Sequence, residues 1–188
     1  MSHEPIDASV TREELHTRQI TLQGWKRSDG LYEIEARLVD TKPFEFRPVS
    51  GDRVIGAREP IHDMGVRIVY DDTMTVRDVK AVGNALPYGE CVKGPATLKS
   101  LIGLSMTKGW TAETRKRLAG AASCVHLAGL MTPMAAAAFQ TMVVLRIERG
   151  EGGHGHKPNV DSCIAYSRHG ELMRTRYPAF YIAKADTG

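Results

Sequence analysis

Apolar and polar positions alternate with a period of two through the first half of the chain and recur at helical spacing in the second. From His16 to Trp25 the alternation places Ile20, Leu22 and Gly24 on one face of an expected strand. Ser28-Asp29-Gly30 follows, a hairpin signal because glycine tolerates positive φ. Leu31 to Asp40 is the clearest strand, with Tyr32, Ile34, Ala36 and Leu38 pointing one way and Glu33, Glu35 and Arg37 the other. Proline and glycine make Thr41 to Pro60 mostly loop, with a short edge strand near Phe44–Arg47. Met64, Val66, Ile68 and Tyr70 share one face of a further strand, and Asp71-Asp72 turns it into Met74–Val82 as a second hairpin.

After Pro87 the pattern changes period. Pro95 suits the first turn of a helix running to about Ile102, where Gly103 would stop it. Thr111 is an expected N-cap for Ala112–Leu118. Ser123 is expected to cap a longer helix, in which Leu127, Leu130, Met131 and Met134 recur on one face and which runs to about Arg146. Thr132-Pro133 would kink or restart it. Gly150–Pro158 reads as loop, and Asp161–Ser167 with Glu171–Arg176 as a final hairpin. Hairpins followed by helices, without strand–helix alternation, predict an α+β domain: an antiparallel sheet with a helical segment packed on one face. Residues 1–12 read as a flexible leader and 13–188 as a single domain.

A chain of 188 residues can bury roughly 70% of its unfolded surface without staples. Its 42% hydrophobic and 25% charged content is that of a globular protein. The net charge of +3 comes from 25 basic and 22 acidic residues, a balance that argues against an electrostatic nucleic-acid binder. The most apolar stretch, Met131 to Leu145, holds Pro133 and Gln140 and falls short of the roughly 18 uninterrupted apolar residues of a membrane span. The polar, acid-bearing N-terminus fits no targeting peptide, and three scattered cysteines make no disulfide framework. A cytoplasmic protein with reduced thiols and no membrane association is expected. Nothing in the sequence sets an oligomeric state.

Candidate chemistry gathers on a few residues. Cys124, in Ser123-Cys124-Val125-His126, opens a helix, where unpaired N–H groups and the macrodipole favour thiolate. His126 lies roughly 200° further around, so both reach one site only above the helix end. Cys91 sits at a second loop-to-helix junction, and His62-Asp63 enters a strand. Two thiolates, an imidazole and a carboxylate would suit tetrahedral Zn²⁺ or, less specifically, iron. His16-Thr17-Arg18 at a strand start reads either as a base and an anion clamp placed in a cleft or as strand-end surface. His154 and His156 read as loop composition, and Cys163 as strand packing.

The motifs His16-Thr17-Arg18, Ser28-Asp29-Gly30-Leu31, Asp40-Thr41-Lys42, His62-Asp63-Met64, Gly109-Trp110, Ser123-Cys124-Val125-His126-Leu127 and Asp161-Ser162-Cys163 resemble a bacterial family, domain of unknown function 2889. That resemblance spans about His16 to Pro178 and implies no mechanism. More distantly, Pro60 to about Gln140 is similar in layout to the iron–sulfur cluster scaffold proteins. This likeness sets His62 and Asp63 near that family's first cysteine and its aspartate, Cys91 at its middle cysteine and Cys124 at its last, with His126 for the adjacent histidine.

Two functional classes follow, beside a third reading as a structural or partner-binding domain whose cysteines are merely buried. One is a small-molecule enzyme of lyase or hydrolase type. In its metal form His62, Cys91 and Cys124 hold zinc or iron, with Asp63 or His126 as fourth ligand. In its metal-free form Cys124 is the nucleophile, with His126 or His62 as base. The other is a non-enzymatic carrier of metal or of an iron–sulfur cluster.

Overall fold

The computed structural model describes residues 9–49, 53–149 and 159–184. Four strands form one antiparallel sheet in chain order: β1 (Thr17–Lys26), β2 (Tyr32–Thr41), β3 (Pro60–Tyr70) and β4 (Val76–Ala85). The helical part comprises α1 (Gly94–Thr97) between two 3₁₀ turns, α2 (Trp110–Leu118), α3 (Val125–Glu148) and α4 (Glu171–Arg176). The fold is α+β, as the change of period predicts. Internal contacts group into two units, Met1–Met142 and Val143–Gly188, and α3 runs from the first into the second.

The alternation of β2 translates directly into burial. Tyr32, Ile34, Ala36 and Leu38 are buried, and so are Met64, Val66, Ile68 and Tyr70 of β3 on the same face. Helix α3 covers this face with Leu127, Leu130, Met131, Met134 and Ala138. Each of these leucines and methionines contributes about 1.5–3 kcal/mol when fully removed from water. By length and composition alone α3 would also suit a membrane span; seven of its residues are buried. Near its middle the Tyr70 hydroxyl donates to the Ala138 carbonyl at 3.3 Å. At Gly24 the helix approaches β1 so closely that a Cβ there would stand 1.8 Å from Thr141 Oγ1.

Several boundaries differ from the sequence expectation. β3 begins at Pro60 and takes His62 and Asp63 into the sheet. The edge strand near Phe44–Arg47 is reduced to one bridge, Phe46 to Ile55. Helix α2 starts at Trp110, after Gly109 at φ 89°, and Thr111 lies inside it. The Ser123 hydroxyl bonds the Thr97 hydroxyl at 2.6 Å and does not cap α3; the Cys124 carbonyl accepts the first helical bond, from Ala128. Pro133 lies within α3 and does not end it. Pro95 in the first turn of α1 and the stop at Gly103, φ 87°, agree with expectation.

The expected C-terminal hairpin does not form. Residues 160–170 are turns, and Glu171–Arg176 is helix α4. Asp161 is the reason: it sits at φ 60°, and its carboxylate accepts from the Arg168 backbone N–H at 2.9 Å and from the Arg168 side chain at 2.6 Å. A side chain that closes its own turn in this way competes with a strand ladder. Cys163 is accordingly exposed in a turn. The Gly150–Pro158 expectation, with His154 and His156, lies outside the described residues.

Candidate metal centre

Position 40 continues the buried face of β2: Tyr32, Ile34, Ala36 and Leu38 share its parity, so the Asp40 carboxylate is carried inward and is 2% exposed. In the β2–β3 register Asp40 pairs with His62, and a bulge follows between Asp40 and Thr41. A buried carboxylate requires partners. Arg18, its neighbour on β1, supplies them as a fork, Nε donating to Oδ1 at 2.7 Å and Nη2 to Oδ2 at 2.8 Å. His16 Nε2 lies 3.3 Å from Oδ1.

Two imidazoles close the cluster. His62 Nδ1 stands 2.9 Å from Asp40 Oδ2, yet out of line for a hydrogen bond, so this buried nitrogen has no aligned partner among the described residues. His126, in the first turn of α3, places its ring 3.9 Å from that of His62 and its Nε2 3.9 Å from Asp40 Oδ2. Its Nδ1 lies 3.8 Å from Cys124 Sγ. One donor atom from each of Asp40, His62 and His126 lies within 4.8 Å of the others.

Charge and burial set the protonation states. Burial works to raise the Asp40 carboxyl, but the Arg18 fork and the charges of Arg18, His62 and His16 outweigh it and hold the group below its ordinary value. Burial lowers His62, with Asp40 opposing only in part; burial lowers His126 as well, helped by His62 and Arg18. Both shifts favour the neutral imidazole, the form that binds metal or accepts a proton.

His62 and His126 line a cavity of about 450 Å³ together with Cys91, Cys124, Lys93 and an apolar wall. Cys91 reaches it from the 3₁₀ turn Gly89–Lys93. The start of α3 is pressed against α1 at Gly94, where an added Cβ would meet Cys124 Cβ at 2.8 Å. At φ −55° the backbone there admits any residue, so space alone demands the glycine. Gly94→Ala is expected to cost about 1–3 kcal/mol through overpacking and to shift Cys124 and His126. Thermal melts, with the His126 imidazole resonances as a local probe, check this.

Of the residues singled out from sequence, His62, His126, Cys91 and Cys124 meet at this one cavity. Asp63 does not. Adjacent strand residues point to opposite faces, and Asp63 lies on the far side of the sheet, accepting from Arg37 Nε at 2.8 Å, Arg37 Nη2 at 2.9 Å and Asn84 at 3.3 Å. Its place is taken by Asp40, which escaped the sequence reading. The signal was a carboxylate in phase with the apolar face of β2. His16 and Arg18 converge on that carboxylate from the strand start. Neither thiol joins the donor group of Asp40, His62 and His126.

A family model described as protein of unknown function (DUF2889) matches residues 16–140. The chain belongs to this family. The match takes in the four strands and every residue of the cavity, and it stops short of Asp161-Ser162-Cys163. No curated protein and no solved structure matches the chain, and the layout likeness to iron–sulfur scaffold proteins is not shown.

Proposed function

We propose that this family member is a cytoplasmic small-molecule enzyme of the hydrolase or lyase class, with a divalent metal held by Asp40, His62 and His126. The observation that carries the reading is the buried His62 Nδ1, which has no aligned partner among the described residues while a carboxylate oxygen and a second imidazole nitrogen stand within 4.8 Å. Ligand atoms about 2.0–2.2 Å from a common ion lie about 3–3.5 Å apart, close to the 2.9 and 3.9 Å separations to Asp40 Oδ2. Two imidazoles and one carboxylate suit Zn²⁺ or Fe²⁺ and leave coordination positions open. Arg18 uses one lone pair on each Asp40 oxygen, so further lone pairs remain for a metal. Cys124, 3.8 Å from His126 Nδ1, is placed to accept that ring's other proton and so orient it. An ion here would polarise a carbonyl or activate water at the cavity wall.

Metal analysis of tag-free protein, purified without oxygen, tests this. About one zinc or iron per chain is expected in the wild type and in Cys91→Ser, and none in His62→Ala. Wild-type protein that retains neither metal after loading and desalting would rule the centre out. Visible absorbance from iron with stoichiometric sulfide would instead favour a cluster carrier.

A metal-free reading has one observation in its favour: Cys124 Sγ and Asp40 Oδ2 flank the two ring nitrogens of His126 at 3.8 and 3.9 Å, as nucleophile, base and orienting carboxylate. Rapid alkylation of Cys124 in metal-free protein, slowed by His126→Ala, would support it.

A further inference from the structure

The charges around the centre constrain what it can hold. Asp40 is the one carboxylate of the donor group, and the Arg18 guanidinium already neutralises it. His62 and His126 add no charge as neutral ligands. The remaining carboxylate on the cavity wall, Glu90, is ion-paired with Lys93. The Ser123 and Thr97 hydroxyls bond each other. Cys124 faces Nδ1 of His126, the ring nitrogen turned away from Asp40, so its sulfur stands behind the imidazole. A divalent ion bound by Asp40, His62 and His126 therefore keeps about its whole charge, and a ligand reaching it past His62 and His126 from the cavity must supply the compensation.

The rest of the cavity is of another kind. Pro87, Tyr88, Ala121, Ala122 and Val125 form an apolar wall, with Tyr88 44% and Val125 75% exposed although both are large hydrophobic side chains. A volume of about 450 Å³ fits a compact molecule.

We propose that the cavity takes a small organic carboxylate, its head drawn to the Asp40–His62–His126 centre and its apolar body lying on the wall of Tyr88, Ala121, Ala122 and Val125. The inference rests on the metal reading above, and it names the substrate class of that same site. A neutral molecule of equal shape leaves the ion uncompensated, and a polar body gains nothing from the wall.

The test uses the full chain loaded with zinc, titrated calorimetrically with straight-chain carboxylates from acetate to octanoate and with the matching primary amides. Affinity is expected to rise about fourfold per methylene while the wall is being covered. The amides are expected to bind at least about tenfold more weakly than the acids, a loss of the size seen when a charge-assisted contact becomes neutral. Val125→Ser, at an exposed position, should weaken octanoate by about fivefold while leaving acetate and the zinc content unchanged. Zinc content is read on every sample first. Failure to retain zinc overturns the metal reading and this inference with it. Zinc retained with affinity independent of chain length, or with amides equal to acids, overturns the carboxylate inference alone.

Discussion

With zinc held as proposed, Asp40→Asn is expected to abolish its binding and Asp63→Asn to leave binding unchanged. Removing a partner outside the coordination shell typically costs roughly 10–100-fold in metal affinity, so loss of the one anionic ligand should cost about 100-fold or more. The amide keeps the shape and one acceptor oxygen but not the charge, and it leaves Arg18 without its counter-ion. Since Arg18 is 42% exposed, water can take over much of that role, and the fold should survive with a modest loss of stability. Asp63 is tied to Arg37 and Asn84 across the sheet from the cavity, so its replacement should alter zinc affinity by less than about twofold. Competition with a chromophoric zinc chelator measures both. Equal losses in the two variants, or none in Asp40→Asn, would remove Asp40 from the centre.

The same two aspartates show what the sequence could and could not convey. Strand parity was available: 32, 34, 36, 38 and 40 share a face of β2, and 62, 64, 66, 68 and 70 share a face of β3. Followed one residue further, that rule delivers Asp40 to the core and turns Asp63 away from His62. Adjacency in sequence misled because adjacent strand positions diverge by design of the pleat. Cys124 and His126 reach one cavity for a local reason, since side chains at a helix start lean toward its N-terminal end. The pairing of Asp40 with His62 needed the β2–β3 register, which depends on how the proline-rich segment from Thr41 to Pro60 returns the chain. No local signal sets that. The C-terminal hairpin failed because a few alternating residues fit several conformations, and the Asp161 carboxylate, bonded to Arg168, decides among them.

Of the changes away from the cavity, Trp110→Ala is expected to be among the most destabilising. Trp110 is 3% exposed, and its indole Nε1 donates to the Met131 carbonyl at 2.8 Å, tying α2 to the N-terminal third of α3. Truncation of a buried tryptophan costs about 3–5 kcal/mol, from lost burial and from the cavity left behind. At about 2–4 °C per kcal/mol for a chain of this size, the melting temperature should fall by roughly 6–20 °C. Trp110→Phe isolates the hydrogen bond from much of the ring volume and should cost markedly less, on the order of 1–2 kcal/mol. The site depends on this anchor through geometry: Met131 lies in α3 five residues beyond His126, so the indole bond helps fix how far the first turn of the helix reaches toward Asp40. Zinc affinity measured well below the melting range separates the two roles. If Trp110→Ala loses both stability and affinity while Trp110→Phe keeps both, α2 positions the centre by packing; if affinity is unchanged in Trp110→Ala, the first turn of α3 is held by Gly94 and the sheet alone.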